Sequence, residues 1–390
     1  MTAGLRLLIG ADALAASPRT GVGHYTGHLV DALRQQPEVA ELWAWIHLGI
    51  RREGAGGREN PVPARGGLVD RLRQPLSRLP LASAGHEGLK NWLFWWHSRR
   101  LAPMLYHETN FILKPFFRGV AVATLHDLSW RHFPDFHPAS RRRWLERGIS
   151  RTLRDAALIM TPSEFIRREV VADLGVPASQ TWVTPLGVDA VFHPRSPGQL
   201  AAPLATWGLT PGGYLLVVAT REPRKNLERL ILAYGRLPEA LQRHYPLVLA
   251  GANGWRAESL ERTLTGLERT GRLRVLGYVV DADLPFLYAG AAAFAFPSLY
   301  EGFGLPPLEA MASGIPVLTS RDSAMTEVAG EVALRVDPYD LDQITEGLRQ
   351  LLEDDGLKRQ ALDQGPRQAR PFTWENTARL TLAGYRQVIE

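Results

Sequence analysis

Two glutamates and two adjacent cations in the second half of the sequence have the types and spacing that sugar and phosphate chemistry uses. Glu301 and Glu309 flank a glycine-containing loop within the string PSLYEGFGLPPLEAMASGIPV. Carboxylates accept hydrogen bonds from hydroxyl groups, and the free amides at a helix start bind phosphate. Upstream, Arg224 and Lys225 precede a predicted helix, where cations oppose the helix dipole but are well placed for a diphosphate. Either glutamate alone would be read more simply as a solvated loop residue or a helix-stabilising one.

The loop between the two glutamates has the composition of a phosphate-binding turn. Its glycines allow a ligand to approach the backbone closely, and the two prolines that follow suit the first turn of a helix. The amides of that turn would then face a bound phosphate. The loop adds four candidate ligand contacts: Gly302, Phe303, Gly304 and Leu305.

Three residues near the ends of other predicted strands extend the candidate site. His126 follows the strand 120–125, and this position favours a ligand contact over the alternative, a structural core histidine. The sequence does not decide whether this histidine transfers a proton. Asn253 follows the strand that ends at Gly251 and is a candidate nucleotide contact. Gly23, in a Gly-x-Gly turn before a helix, is a weaker phosphate candidate.

Short apolar runs alternate with amphipathic helical stretches, which predicts parallel sheets with crossover helices. The predicted strands are 5–10, 120–125, 158–161 and 181–185, then 214–219, 246–251, 273–276, 292–296 and 316–319. A stretch rich in Pro, Ala and Gly at 194–213 is predicted to be the loop that joins the two halves. The expected fold class is α/β, with two Rossmann-like domains facing a central cleft and ligands beyond the strands' carboxyl ends.

Composition excludes several function classes. The 390-residue chain has no cysteine, which excludes thiol nucleophiles, disulfide scaffolds, zinc–cysteine sites and iron–sulfur clusters. Its histidine spacing fits no metal motif, so no protein-built metal site is expected. Residues 1–190 carry 24 basic and 17 acidic side chains, and residues 191–390 carry 21 and 23. The basic excess therefore belongs to the first half.

The string around Glu301 and Glu309 resembles the signature of the family 4 retaining glycosyltransferases, which have the GT-B fold. Other blocks are similar to the family in the expected order: IGADALAASPRTGVGHYT, LHDLSW, TPSEF, TPLGVDAVF, ATREPRKNLERL and LAGANGW. The resemblance covers nearly the whole chain. The EPRKN and PLGVD variants particularly resemble bacterial mannosyltransferases and related rhamnosyltransferases that build surface polysaccharides.

The resemblance implies how the donor diphosphate is bound and how the chain is divided. Lys225 aligns with a lysine that binds the diphosphate. Ala219 stands where many relatives have an arginine, so Arg224 or Arg221 is expected to replace it. The implied domains are an acceptor-side domain, 1–195 plus 375–390, and a nucleotide-sugar-binding domain, 196–374. The segment after Pro371 is implied to cross back onto the first domain.

The resemblance also implies contacts to the rest of the donor and to the acceptor. Glu301 is expected to orient the sugar hydroxyls and Glu309 the ribose hydroxyls. His126 is implied to contact the donor sugar, and Gly23 to face the donor phosphate across the cleft. Residues 107–110 resemble a segment near the acceptor. The nucleobase is expected at the end of another strand, beside Tyr278 and Val279.

These features predict an enzyme that moves a hexose from a nucleotide sugar to a hydroxyl of a growing, lipid-linked bacterial surface polysaccharide. GDP-mannose is the first expected donor, GDP-rhamnose the second and UDP-sugars the third, with no further cofactor or metal. No carboxylate has the clear position of a glycosidase nucleophile, which favours same-face attack assisted by the leaving phosphate. Three alternatives are a GT-B nucleotide-sugar epimerase or hydrolase, a basic nucleic-acid-binding module and a catalytically silent scaffold.

One segment departs from the alternating pattern. Residues 51–60 are predicted as a loop, and 68–79 as a helix with leucines on one face and arginines nearby. Three tryptophans within 92–96 then precede Arg99 and Arg100. Such a segment either lies in a membrane interface or packs on the sheet with its tryptophans in the core. The first interpretation predicts a cytoplasmic enzyme in peripheral contact with anionic lipid of the inner membrane. No nucleic-acid partner is expected, because the sequence has neither aromatic residues interleaved on a basic strand face nor a nucleic-acid-binding motif.

Overall fold

The computed structural model describes residues 4–17, 19–47, 49–53, 80–114, 119–252 and 267–389, and of residues 80–87 it gives the backbone only. Within these ranges the chain forms two sheets with helices packed on them. We call each sheet with its helices a domain. None of the helices in these ranges is both long and apolar enough to cross a bilayer.

The first domain is built on seven strands, of which six run parallel and the edge strand is antiparallel. The strands are β1 (Leu5–Gly10), β2 (Val39–Ile46), β3 (Gly49–Arg52), β4 (Leu105–Glu108), β5 (Val120–Thr124), β6 (Leu158–Thr161) and β7 (Thr181–Val183). Their order in the sheet is β3-β2-β1-β4-β5-β6-β7. The helices are α1 (Gly21–Arg34), α2 (Pro80–Leu101), α3 (Ser129–His132), α4 (Ala139–Asp155) and α5 (Glu164–Leu174).

The second domain is built on six parallel strands. They are β8 (Leu215–Val218), β9 (Leu247–Ala250), β10 (Leu273–Gly277), β11 (Ala293–Phe296), β12 (Val317–Ser320) and β13 (Leu334–Val336), in the order β10-β9-β8-β11-β12-β13. Its helices are α6 (Pro197–Ala205), α7 (Leu227–Gly235), α8 (Glu239–His244), α9 (Leu284–Gly290), α10 (Leu305–Ala312), α11 (Ala324–Ala329), α12 (Leu341–Glu353) and α13 (Asp355–Ala369).

The last helix, α14 (Trp374–Ile389), lies against the first domain. Trp182 Nε1, in β7, donates to the carbonyl of Leu380 at 2.9 Å. The Tyr385 hydroxyl is buried 2.7 Å from Nδ1 of His107 in β4. These contacts agree with the implied return of the chain, while the boundaries 1–195 plus 375–390 and 196–374 stay a prediction.

The side chains of β1 separate two hydrophobic clusters, because neighbouring residues of a strand point to opposite faces. Leu7 and Ile9 belong to the cluster beneath α1 and α14, which continues into the second domain. Leu8 belongs to a second cluster, which we call the Leu8 core. It is formed by Leu8, Trp45, Phe94, Leu145, Ile166 and neighbours from α2, α4 and α5.

The predicted α/β architecture with two wound sheets is confirmed, but two predicted loops are wrong. The stretch 194–213 contains α6, whose start is capped by Ser196 and Gln199 in a reciprocal capping box. Residues 51 and 52, predicted as part of a loop, belong to β3. The remainder of that loop and the predicted helix 68–79 lie outside the described residues.

Candidate active site

A buried ion cluster joins the ends of β8 and β11, the two central neighbours of the second sheet. Lys225 Nζ lies 2.6 Å from Glu301 Oε1, and Arg224 Nη1 lies 3.0 Å from Glu301 Oε2. The Ser298 hydroxyl donates to Glu301 Oε1 at 2.7 Å. The structure therefore brings together three predicted site residues and adds Ser298, which the sequence analysis did not single out.

A tight turn presents the two cations. Residues Pro223–Lys225 form a single 3-10 turn, and Asn226 follows with a left-handed φ of 57°. The Asn226 side chain donates to the carbonyls of Pro297 and Pro338 at 2.9 and 2.7 Å. The turn is thereby fixed to the loop that carries Glu301. Arg224 and Lys225 therefore lie in the turn before α7 and not in the first residues of the helix.

Burial and neighbouring charges set the ionisation of the cluster. Burial raises the pKa of Glu301, but Lys225 and then Arg224 outweigh it and hold that pKa below its ordinary value. Burial, followed by repulsion from Arg224, lowers the pKa of Lys225 despite Glu301. Burial also acts against the charge of Arg224, yet Glu301, Asp127 and Glu222 raise its pKa. The carboxylate is thus ionised between its cations.

Helix α10 begins directly after this cluster. Gly304 precedes it with a φ of 111°, and a Cβ there would lie 2.8 Å from Met325 Cγ, so the backbone and the space both favour glycine. The first amides of a helix have no acceptor within the helix. Phe303 is buried at this turn. One turn further on, burial raises the pKa of Glu309 to about 7, and Asp281 and Asp189 add to the rise.

The first domain faces this loop with His126 and its neighbours. A Cβ on Gly302 would lie 1.8 Å from the carbonyl oxygen of His126, so the two backbones are in direct contact. His126 Nε2 lies 2.7 Å from the carbonyl of Thr109, which can only accept, so this nitrogen carries the proton. Burial lowers the pKa of His126. The ring is therefore a neutral imidazole with its lone pair on Nδ1.

Four other predicted residues show local contacts, burial or exposure, and a fifth lies outside the described residues. The Gly23 amide donates to the Thr20 hydroxyl at 3.3 Å, as part of the cap of α1. Arg221 is buried, and its backbone amide donates to the carbonyl of Ala252. After β10, Tyr278 is 46% exposed and Val279 is buried. Asn253 lies outside the described residues. The ligand roles assigned to all of these stay predictions.

Several contacts across the cleft were not predicted from the sequence. His24 Nε2, at the start of α1, lies 3.7 Å from Asp281 Oδ1. The Ser163 hydroxyl donates to the carbonyl of Gly302 at 2.8 Å. Tyr300, beside Glu301, reaches into the first domain. No periodicity marks such residues, since each pair is brought together only by the approach of two domains.

The described residues contain no group of three His, Asp or Glu side chains close enough to hold a metal ion. The expectation that no metal takes part stays a prediction.

Two family models match this chain: Glycosyltransferase Family 4 over residues 20–192 and Glycosyl transferases group 1 over residues 210–368. The O-antigen chain mannosyltransferase B of Escherichia coli is 37% identical over 369 residues, which cover 95% of this chain and 96% of that protein. The chain belongs to glycosyltransferase family 4.

Two further proteins are similar to this family 4 glycosyltransferase, one in sequence and one in fold. The serotype-specific mannosyltransferase WbdA of Escherichia coli is 40% identical over 185 residues, which cover 46% of this chain and 22% of that longer protein. The structure of Anabaena Alr3699/HepE in complex with UDP-glucose has a TM-score of 0.71 at 16% identity, covering 97% and 99% of the two chains. That likeness shows the fold alone and confirms GT-B. The enzyme is a glycosyltransferase with mannosyltransferase relatives, so the two non-enzymatic alternatives are set aside.

Proposed function

We propose that this glycosyltransferase moves mannose, with retention of configuration, from GDP-mannose to a hydroxyl of a growing, lipid-linked surface polysaccharide. The observation that carries the proposal is the contact of Lys225 and Arg224 with Glu301 immediately before α10. It joins two diphosphate-binding cations to a sugar-binding carboxylate. Mannose follows from the names of the relatives. Guanine rests on the resemblance of the EPRKN and PLGVD segments, with GDP-rhamnose as the second donor. The lipid carrier rests on the basic excess of the first half beside its leucine, tryptophan and arginine stretch.

The cations supply the main catalytic effect, which is stabilisation of the departing diphosphate. Glu301 holds Lys225 and Arg224 at fixed positions, so little reorganisation is needed when the diphosphate adds its negative charge to the same cluster. Contact between the cations and the diphosphate then leaves Glu301 able to accept hydrogen bonds from the sugar hydroxyls. The amides of Gly304, which directly precedes α10, and of Leu305, its first residue, face the same group.

The transfer proceeds on one face of the sugar. The bond between the anomeric carbon and the diphosphate oxygen breaks, and the acceptor oxygen bonds to that carbon on the same side. The acceptor proton passes to the leaving phosphate. His126 contributes a neutral ring and its backbone carbonyl at the sugar, while Gly23 approaches the phosphates across the cleft.

The remainder of the donor extends along the second domain. Glu309 accepts the ribose hydroxyls, and the base lies beside Tyr278 and Val279, with Arg221 and Asn253 as further nucleotide contacts. No metal or other cofactor takes part.

A panel of GDP- and UDP-sugars tests the proposal, with turnover measured on lipid-linked saccharide acceptors. We expect mannose transfer from GDP-mannose with retained configuration. Lys225→Met and Glu301→Gln should lose transfer at least a hundredfold. Lys358→Met is the matched control, because this lysine is paired with Asp355 on the outer surface of α13. Nuclear magnetic resonance of donor and enzyme without acceptor distinguishes the alternative: rapid epimerisation or hydrolysis would identify an epimerase or hydrolase.

We also propose a peripheral contact with an anionic membrane, supported by helices α2 and α4. On α2, Trp92 is 55% and Leu89 49% exposed, whereas Phe94 is fully buried in the Leu8 core. The guanidinium carbons of Arg99 and Arg100 lie 4.9 and 3.5 Å from the ring centroids of Trp95 and Trp96, respectively. The segment therefore packs on the core through Phe94, while Trp92 is exposed and Trp95 and Trp96 are half-buried.

Helix α4 carries a cationic face that the sequence analysis did not include. Its sequence, ASRRRWLERGISRTLRD, has six arginines and two acidic residues. Leu145 and Ile149 are buried, and the opposite face bears an arginine stripe (Arg143, Arg147 and Arg151). In the described part of the chain no carboxylate pairs with the stripe. An exposed Trp144 lies beside it. Arginines with an adjacent tryptophan fit an anionic lipid surface.

Vesicle sedimentation tests this contact. Phosphatidylglycerol-containing vesicles should bind the enzyme, and phosphatidylcholine vesicles should not. Charge reversal of the arginine stripe (R143E/R147E/R151E) should abolish vesicle binding. Charge reversal of three arginines on the second domain (R349E/R359E/R367E) should leave most of the binding intact. Equal binding to both vesicle types would contradict the contact.

A further inference from the structure

Tyr300 belongs to the second domain by sequence but is buried in the first. It is 5% exposed and, within the described residues, is the one side chain from beyond β7 in the Leu8 core. Its ring centroid lies 5.5 Å from that of Phe133, 5.7 Å from His132 and 6.2 Å from Phe165. The residue directly before Glu301 is thus part of the other domain's interior.

The hydroxyl of Tyr300 has two partners there. It accepts a hydrogen bond from the backbone amide of Leu128 at 2.9 Å and donates to the carboxylate of Glu169 on α5. Leu128 is two residues beyond His126. The hydroxyl therefore connects the loop that carries Glu301 to the segment that carries His126.

The loop has further contacts with the first domain on the other side of Glu301. The Gly302 carbonyl accepts from the Ser163 hydroxyl, and its Cα is packed against the carbonyl of His126. Glu301 is consequently held between two points that belong to the opposite domain. Its position relative to His126 depends on both.

We propose that Tyr300 is a positioning residue and Glu169 its partner: their hydrogen bond sets Glu301 against His126 when the domains are closed. This inference rests on the proposed function, because it gives Glu301 and His126 their places at the donor sugar. The hydroxyl is the decisive group. Phenylalanine would fill the same aromatic pocket, so tyrosine differs from it here only by the hydroxyl and its two hydrogen bonds. These bonds compensate the cost of burying the hydroxyl.

Full-length Y300F separates positioning from packing, since it keeps the ring and removes the hydroxyl. We expect its kcat for transfer to fall about tenfold or more, the size of effect seen when a hydrogen bond to a charged group is lost. Its affinity and stoichiometry for GDP should stay within about twofold of wild type, because the phosphate-binding residues are untouched. Y339F, at a tyrosine that is 58% exposed on the second domain, is the matched control.

Glu169 variants supply a second test if Y300F folds poorly. E169A removes the acceptor and should match Y300F, whereas E169Q keeps an acceptor oxygen and should restore most of kcat. The double variant Y300F/E169A should be no slower than Y300F. Wild-type kcat in Y300F or E169A, or a loss matched by an equal loss of GDP-binding sites, would overturn the inference alone. A wild-type protein that transfers no sugar would overturn the proposed function and this inference with it.

Discussion

Lys225 Nζ and Glu301 Oε1 lie 2.6 Å apart across 76 residues of sequence, and each side chain is 10% exposed. This ion pair connects the turn after β8 to the loop after β11. In a site of this burial, each charge depends on the other for compensation. The same two residues therefore affect both folding stability and catalysis, and these two effects can be separated by mutation.

K225M should lower the free energy of unfolding by about 3 kcal/mol, because it leaves the buried Glu301 with Arg224 alone. K225M/E301Q should recover most of that loss, since both charges are gone, yet stay as inactive in transfer as either single variant. Urea unfolding and transfer rates measured on the same preparations check both expectations. A double variant less stable than K225M would contradict this view of the pair.

The raised pKa of Glu309 predicts a pH dependence of stability. Its pKa of about 7 lies above the ordinary 4.5, so the folded protein binds more protons than the unfolded chain between those values. Glu309 therefore adds most to the free energy of unfolding at low pH, by roughly 3 kcal/mol at most. This contribution is lost as pH rises through about 7. E309Q should lack this component. Unfolding of both proteins from pH 5 to 8 measures the difference, and parallel curves would argue against a raised pKa.

Gly302 should tolerate no side chain. A methyl group there would meet the His126 carbonyl at 1.8 Å, so G302A must move the loop or separate the domains. We expect transfer to fall at least tenfold while GDP binding is largely kept. G235A is the control, because Gly235 ends α7 with open space around its Cα and alanine favours helix. Equal activity of the two variants would show that the close contact is dispensable.

The sequence was most informative where a local pattern decides the structure. β1 and β6 were predicted to the residue, because each is a short apolar run with clear ends. β13 was missed, since three residues with Arg335 in the middle give no periodic signal. α6 was missed because its prolines, including Pro203 inside the helix, suggested a loop.

The residues of the candidate site also differ in whether a local pattern predicts them. Glu301 and Lys225 could be singled out because their surroundings form a recognisable string. The role proposed for Tyr300 could not, since an aromatic residue beside a strand predicts burial but not which domain buries it. Nothing in the sequence near position 300 refers to Glu169 or Leu128. Contacts made by the approach of two domains depend on geometry that only the folded chain supplies.

One helix of the first domain is capped from the second. The carboxylate of Glu327, on α11, accepts from the backbone amides of Glu164 and Phe165 at 2.9 and 2.5 Å. Separation of the domains would return these two amides to solvent, where they exchange hydrogen for deuterium. The exchange rates of these two amides therefore report how often the cleft opens. A bound donor that favours closure should slow the exchange of both amides together.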